Sequence, residues 1–313
     1  MGEKAIRVEK LKKYYGDLKA VDGIGFEVEQ GTVFGMLGPN GAGKTTTIEM
    51  LVGLTERTDG SVEVLGLDPG KEQDKLKKRI GVRLQSPALF NHLTVRELMD
   101  LYAGFYENAF DTKEVIEMLG LSDKANVRIE TLSGGQFHKL ATALAIISNG
   151  ELIFLDEPST GLDPQSRREI RSAILKLKSM GKTIFLTTHN MDEAEALCDD
   201  LIIIDYGKII AKGSPFDLIA QYFGGKIIEL LVPDLEKKDY HGFEKLEGVS
   251  KVDYPKEGKN INIYTQDYAV TIIDLINYTR EQGINIENLE FRRPTLDDLF
   301  IELTGREMKS EGF

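Results

Sequence analysis

Thr32-Val33-Phe34-Gly35-Met36-Leu37-Gly38-Pro39-Asn40-Gly41-Ala42-Gly43-Lys44-Thr45-Thr46-Thr47-Ile48-Glu49-Met50-Leu51 is the stretch on which the reading of this chain turns. Thr32 to Leu37 is nearly all apolar, the composition of a buried strand, and it breaks at Gly38-Pro39-Asn40-Gly41. Lys44 to Leu51 holds no helix breaker and stops short of Gly53, so a helix follows the glycine loop. Gly38 to Thr45 satisfies G-x-x-x-x-G-K-[ST] in the strand-loop-helix context that this pattern requires. Glycines let main-chain amides converge on phosphate oxygens, and the helix N-terminus adds partial positive charge. Lys44 would reach the β- and γ-phosphates of a nucleotide, and the Thr45 hydroxyl would hold Mg2+. A flexible turn before a helix is the plainer alternative, and the flanking elements weigh against it.

Outward from this loop, Ile6 and Val8, then Ile24, Phe26 and Val28, alternate with polar or small neighbours, as half-buried strands do. From Ser86 to Gly150 the pattern becomes helical. Thr94 with Glu97 and Ser133 with Gln136 have capping-box spacing, and each pair precedes an apolar stripe: Val95, Leu98, Tyr102 and Phe105, then Phe137, Leu140, Ala141, Leu144 and Ala145. Strands return at Glu151 to Leu155, Thr183 to Thr187 and Leu201 to Asp205, with helices beginning after Asp163-Pro164 and after Asn190. This alternation predicts an α/β fold with a largely parallel sheet covered on both faces. Ser214-Pro215 opens one more helix, and Gly224-Gly225 marks the boundary between a first part, 1–224, with a helical insert over about 86–150, and a small α+β part, 225–313. In the latter, strands are expected at Lys226 to Val232, Val249 to Tyr254, Asn260 to Thr265 and Ile284 to Phe291, with a helix over Asp267 to Gln282.

Composition narrows the class. The 313 residues are 41% hydrophobic and 29% charged, which excludes a disordered or fibrous chain. With 39 basic and 51 acidic residues the net charge is -12, a balance that disfavours broad adhesion to nucleic acid or anionic lipid but permits a local anion site. From Lys226 onward there are 12 basic and 18 acidic residues, so half of the excess charge sits outside the loop-bearing part. No apolar run approaches the roughly 18 to 20 residues of a membrane-spanning helix, and Met1 to Lys13 lacks an apolar signal segment. The single cysteine, Cys198, cannot form an intramolecular disulfide and fits a reducing compartment.

Leu152-Ile153-Phe154-Leu155-Asp156-Glu157 reads as a buried strand ending in two carboxylates, Asp156 placed to bind Mg2+ through water and Glu157 to polarise an attacking water. Alone this is a common strand ending; beside a phosphate loop it becomes informative. Leu132-Ser133-Gly134-Gly135-Gln136 is the most specific string, a capped helix start whose amides can face a phosphate. With these three features the chain resembles the nucleotide-binding subunit of ATP-binding cassette transporters, over about residues 4–222.

That resemblance implies a P-loop NTPase cassette that binds ATP with Mg2+. The phosphate loop, Gly38, Pro39, Asn40, Gly41, Ala42, Gly43, Lys44, Thr45 and Thr46, would hold one nucleotide, and Ser133, Gly134, Gly135 and Gln136 would face the nucleotide of a second protomer. Gln85 would contact Mg2+ and face a membrane partner, and His189 would contact the γ-phosphate and steady Glu157. Asp163, in Thr160-Gly161-Leu162-Asp163, would cross the dimer interface, although a turn and helix cap explains it too. Tyr15 would stack on adenine, with a plain strand tyrosine as the alternative. The sequence departs from the family after Gln136, where Phe137 and His138 precede Lys139 in place of polar or basic residues.

In the tail, Arg292-Arg293-Pro294-Thr295-Leu296-Asp297-Asp298-Leu299-Phe300 with Leu303-Thr304-Gly305-Arg306 looks like the C-terminal segment of daunorubicin-resistance-type ATPases, the ATP subunits of type-2 exporters. A capped amphipathic helix accounts for the same residues by packing alone, and a dimerisation or regulatory role is the alternative. The expectation is an ATPase subunit that closes as a homodimer or heterodimer around two MgATP and drives export through separate transmembrane permease subunits. It would lie at the cytoplasmic face of the membrane and take no nucleic acid. The competing readings are a soluble cassette ATPase acting on nucleic acid, ribosomes or cluster assembly, and a regulatory protein that binds ATP without hydrolysing it.

Overall fold

The computed structural model describes residues 3–84, 90, 92–223, 225–232, 242–254 and 260–306. The chain divides into two compact units between Pro215 and Phe216. In the first, β1 (Lys4–Tyr15), β2 (Leu18–Glu29) and β4 (Asp59–Val64) form an antiparallel sheet in the order β2-β1-β4. A six-stranded sheet has the order β5-β6-β7-β3-β8-β9, from β3 (Val33–Leu37), β5 (Ile80–Arg83), β6 (Leu152–Asp156), β7 (Thr183–Thr188), β8 (Asp200–Asp205) and β9 (Lys208–Gly213). Its strands are parallel except for the β8–β9 pair.

Strand alternation explains how both faces of this sheet are covered. Phe34, Met36, Phe154, Phe185 and Ile202 point to one face, where they join Phe26 and the apolar residues of β1, β2, β4 and helix α1 (Lys44–Leu51) in one buried cluster. Aromatic rings tie the layers together, with centroids 5.5 Å apart for Phe26–Phe34, 5.7 Å for Phe34–Phe185 and 5.6 Å for Phe154–Phe185. This covering layer is mostly sheet. After the short helix α2 (Gln73–Leu76) come α3 (Val95–Ala103), α4 (Thr112–Met118), α5 (Gly134–Ile146), α6 (Pro164–Ser179) and α7 (Met191–Leu197).

Both capping boxes expected from spacing are present, at Thr94/Glu97 and Ser133/Gln136. The first stripe is shorter than its periodicity suggests. Helix α3 ends at Ala103, Met99 joins Val95 and Leu98 in the core, and Phe105 is left 70% exposed. Helix α5 is buried continuously from Lys139 to Ile146 and packs on β5 through Gly81, where a Cβ would stand 2.0 Å from the Ala145 carbonyl oxygen. A side chain at Gly81 would push α5 off the sheet.

The second unit takes in α8 (Pro215–Phe223), ahead of the Gly224-Gly225 pair that the sequence suggested as the boundary. The reason is packing: the Phe223 ring stacks on Tyr264 at 5.4 Å between centroids. There β10 (Lys226–Leu231), β11 (Val249–Asp253), β12 (Asn260–Thr265) and β13 (Asn288–Arg292) form an antiparallel sheet in the order β11-β12-β10-β13, joined by α9 (Tyr268–Gln282) and α10 (Leu296–Thr304). The strand expected from Ile284 begins only at Asn288. Gly283, at φ 67°, ends α9, and the Ile284 N–H donates to the Thr279 carbonyl, so Ile284 and Ile286 pack on the core without joining the ladder. In the tail motif, Arg292 grips Asp298 with two hydrogen bonds, 2.6 and 2.9 Å, and Thr295 caps α10 in a box with Asp298. These residues build the joint between β13 and α10.

A similar pair closes the segments around β4: Arg57 Nη1 and Nη2 donate to the two Asp68 carboxylate oxygens at 2.8 Å each. The Arg57 hydrogen bonds hold the Asp68 carboxyl down at about 2 from 3.8, against the opposing effect of burial. A depressed carboxyl contributes stability that is complete above its unfolded pKa and lost as pH falls through the folded one. With side chains 25% and 23% exposed, screening trims the contribution to about 1 kcal/mol. Asp68→Asn is therefore expected to lower stability by about 1 kcal/mol at neutral pH. In urea melts the difference from the parent should shrink between about pH 4 and pH 2.

Candidate active site

Parallel pairing sets the ends of three strands side by side, with Leu37 opposite Thr188 and Asp156 opposite Thr187. The crevice beyond the carboxyl ends of such strands is where α/β folds bind ligands. The loop from Gly38 to Gly43 turns there into α1, which starts without a side-chain cap and without an acidic residue in its first turn. Gly43 has φ 105°, and a Cβ on it would lie 2.4 Å from the Ala20 carbonyl oxygen, so only glycine lets the loop rest on β2. Asn40 and Gly41 are exposed at the loop tip, Ala42 is buried, and Thr46 is half-buried in the first turn of α1.

Lys44 is buried. Its ammonium donates to the Gly38 carbonyl at 2.8 Å and the Pro39 carbonyl at 3.2 Å, and it pairs with Glu157 Oε1 at 3.1 Å. The Thr45 hydroxyl donates to Asp156 Oδ2 at 2.9 Å. The Thr187 hydroxyl donates to Asp156 Oδ1 and accepts from the Glu157 N–H at 3.0 Å. Glu157 adopts φ 47°, a conformation that costs a non-glycine residue about 1 kcal/mol or more and that turns its side chain back over the loop. Its Oε2 takes hydrogen bonds from Thr160 Oγ1 at 3.0 Å and from His189 Nδ1 at 3.1 Å. Burial alone would raise the Glu157 pKa; the His189 hydrogen bond and the Lys44 charge overcome it and bring the carboxyl down to about 2. Conversely, the hydrogen bond to Glu157 raises the His189 pKa against burial.

The structure thus brings together Lys44, Thr45, Asp156, Glu157 and His189. Among the described residues no hydrogen bond joins Ser133, Gly134, Gly135 or Gln136 to that cluster; Ser133 and Gly134 are exposed at the start of α5. Asp163 caps α6, its carboxylate accepting from the Gln165 and Ser166 N–H groups and from Ser166 Oγ. Tyr15 is 48% exposed, with Lys13 Nζ 4.8 Å from its ring centre, whereas the adjacent Tyr14 is tied to Asp22 through its hydroxyl at 2.6 Å. Gln85 lies outside the described residues. Sequence reasoning missed Thr187, which bridges Asp156 and Glu157; its one signal was a hydroxyl pair, Thr187-Thr188, at the end of an otherwise apolar run. It also missed Arg83, buried at the same strand ends, and the half-buried Glu193.

A glycine loop on a parallel strand, a helix N-terminus, a buried lysine and a hydroxyl paired with a strand-end carboxylate define a phosphate-loop nucleoside triphosphatase. Residues 21–160 match the ABC transporter family, and residues 213–304 match the C-terminal domain of DrrA1-3-like ATP-binding proteins. The chain is 36% identical over 309 residues to the linearmycin resistance ATP-binding protein of Bacillus subtilis, covering 97% of this chain and 99% of that one. It is 38% identical over 319 residues to a Nod factor export ATP-binding protein of Rhizobium sp., covering 99% and 100%. It is also 34% identical to a daunorubicin resistance ATP-binding protein of Streptomyces coeruleorubidus, covering 97% of each. A dimeric ATP-binding cassette solved in a post-hydrolysis state with ADP and Pi matches 67% of this chain and 98% of its own, at 25% identity and a TM-score of 0.61. The chain belongs to the ATP-binding proteins of ABC transporters, in the group that carries a DrrA-like C-terminal domain. It is an ATPase subunit. Among the described residues no helix is long and apolar enough to cross a membrane.

The His189–Glu157 contact has a defined pH window. The raised histidine contributes stability fully present below its unfolded value near 6.5 and lost as pH rises through the folded one. The depressed carboxyl contributes above its unfolded value of 4.5. The melting-temperature gap between the parent and His189→Ala is expected to be widest between about pH 4.5 and 6.5 and to narrow toward alkaline pH, as read by calorimetry.

Proposed function

We propose that this chain is the motor subunit of an exporter. It binds MgATP, pairs with a second ATPase subunit around two nucleotides, and passes that closure to transmembrane subunits at the cytoplasmic face of the membrane. The observation that carries the reading is the junction of Lys44, Thr45, Asp156, Glu157 and His189 at one set of strand ends. The resistance and export roles named for its full-length relatives support outward transport.

The residues act as follows. Glycine amides and the α1 N-terminus bind the phosphates of ATP. Lys44 is a triple donor, so an incoming phosphate competes with Glu157 and the loop carbonyls for its ammonium. Losing that partner lifts the Glu157 pKa from about 2 toward the range in which a carboxylate accepts a proton from water. His189 and Thr160 keep the carboxylate aimed while this happens. Thr45 and Asp156 present hard oxygen donors on the phosphate side, a set suited to Mg2+ completed by phosphate and water. When bound, Mg2+ neutralises charge on the β- and γ-phosphates. Ser133 and Gly134, exposed at the start of α5, and the half-buried Gly135 would close on the nucleotide of the second subunit.

Glu157→Gln should retain ATP binding, lose hydrolysis by about a hundredfold or more, and accumulate as an ATP-dependent dimer in size-exclusion chromatography. Turnover within twofold of the parent would remove Glu157 as the base. Purification from membranes tests the transport reading: a stable complex with a polytopic protein is expected, and a purely soluble complex with RNA or DNA would refute it.

A further inference from the structure

Arg83 ends β5 and is 2% exposed, although arginine is among the costliest residues to bury. Its Nη1 donates to the main-chain oxygen of Asp156 at 3.0 Å, and its Nη2 lies 2.8 Å from Nδ1 of His138. A guanidinium only donates, so Nδ1 is the acceptor and His138 is neutral, with its proton on Nε2. Burial and the Arg83 charge both lower the His138 pKa, in keeping with that form. Among the described residues Arg83 Nε has no hydrogen-bond partner. Burial pulls the guanidinium down to about 10, and the charges that oppose this belong to Asp156 on β6, Glu157 just after it, and Glu193 on α7. Packing alone would be better served by an apolar side chain.

The peptide unit that Arg83 holds is the one joining Asp156 to Glu157. Arg83 donates to its carbonyl, while its N–H donates to the Thr187 hydroxyl at 3.0 Å and lies 3.2 Å from the Thr187 carbonyl. That plane is therefore clamped at both of its polar atoms, immediately before the residue at φ 47°. Through Nη2, the same guanidinium is anchored to α5, the helix that begins after Ser133. We propose that Arg83 is a positioning residue for hydrolysis: with His138 as its second anchor, it fixes the peptide that aims Glu157 and ties that peptide to the helix carrying Ser133. The assignment rests on Glu157 acting as the base.

The test uses the full chain and compares Arg83→Met, His138→Leu and His138→Gln, with Glu157→Gln as reference. Arg83→Met and His138→Leu should each lower kcat about tenfold or more, because sub-ångström misplacement of a base is costly in rate, while KM and equilibrium ATP affinity stay within about threefold. His138→Gln, which keeps an acceptor for the guanidinium, should recover most of the kcat lost in His138→Leu. If Arg83→Met does not fold, the two His138 variants decide the matter. The proposal is overturned if folded His138→Leu keeps kcat within twofold while Glu157→Gln is inactive. It is also overturned if ATP affinity falls in step with kcat, or if the glutamine gives no recovery. Failure of the underlying base assignment shows separately, as turnover retained in Glu157→Gln.

Discussion

A lysine and a glutamate meet in the interior of this protein because parallel strands end together. Lys44 stands one loop beyond β3 and Glu157 one residue beyond β6, and β7 lies between those strands in the sheet. Slippage of β6 against β7 by one residue would turn Asp156 to the other face and take Glu157 off the Thr187 bridge. The ion pair, the strained backbone of Glu157 and the hydroxyl bridges all depend on that register. The aromatic cluster of Phe34, Phe154 and Phe185 anchors the same three strands from one face.

Charge at the site is handled locally. A chain at net -12 binds a polyanion because amides, a helix N-terminus and one buried ammonium act within a few ångströms, where bulk screening matters little. The strand ends concentrate negative charge in return: Asp156 and Glu157 are buried there, and Glu193 is half-buried beside them. Arg83 balances them from behind while Lys44 does so from the loop. The two cations differ in what they can do. Lys44 has a flexible stem and mobile donors suited to changing partners, whereas the planar guanidinium of Arg83 is locked to one peptide and one imidazole.

The second unit follows a different logic. Its antiparallel sheet buries Ile228, Leu230, Phe243, Ile263 and Leu275, and a polar joint of Arg292 with Asp298, Thr295 and Glu229 holds a strand to a helix. Arg292, Thr295 and Asp298 of that joint belong to the string of residues by which the tail resembles a daunorubicin-resistance-type ATPase.

Features that depend on neighbours along the chain were legible in the sequence. The phosphate loop, the capping boxes at Thr94, Ser133 and Thr295, and the buried strands at Val33 and Leu152 each arise from hydrogen bonds or periodicities a few residues long. Lys44, Thr45, Asp156 and Glu157 could be named for that reason, whereas His189 could be named only through the family resemblance. Local pattern misled where a tertiary contact set the limit. It carried a stripe to Phe105 past the end of α3, made a strand of Ile284 to Glu287, and gave no sign of β9, an edge strand defined only by its pairing with β8. It was silent on Arg83 and Glu193 and gave no role to Thr187 or His138, whose importance comes from strand order and from the approach of α5 over Gly81. Residue type and spacing determined which groups could meet a nucleotide. Which of them touch, which lose their charge to burial and which hold another in place was decided by the pairing of segments more than a hundred residues apart, because the energy of a buried charge depends on its partners in space.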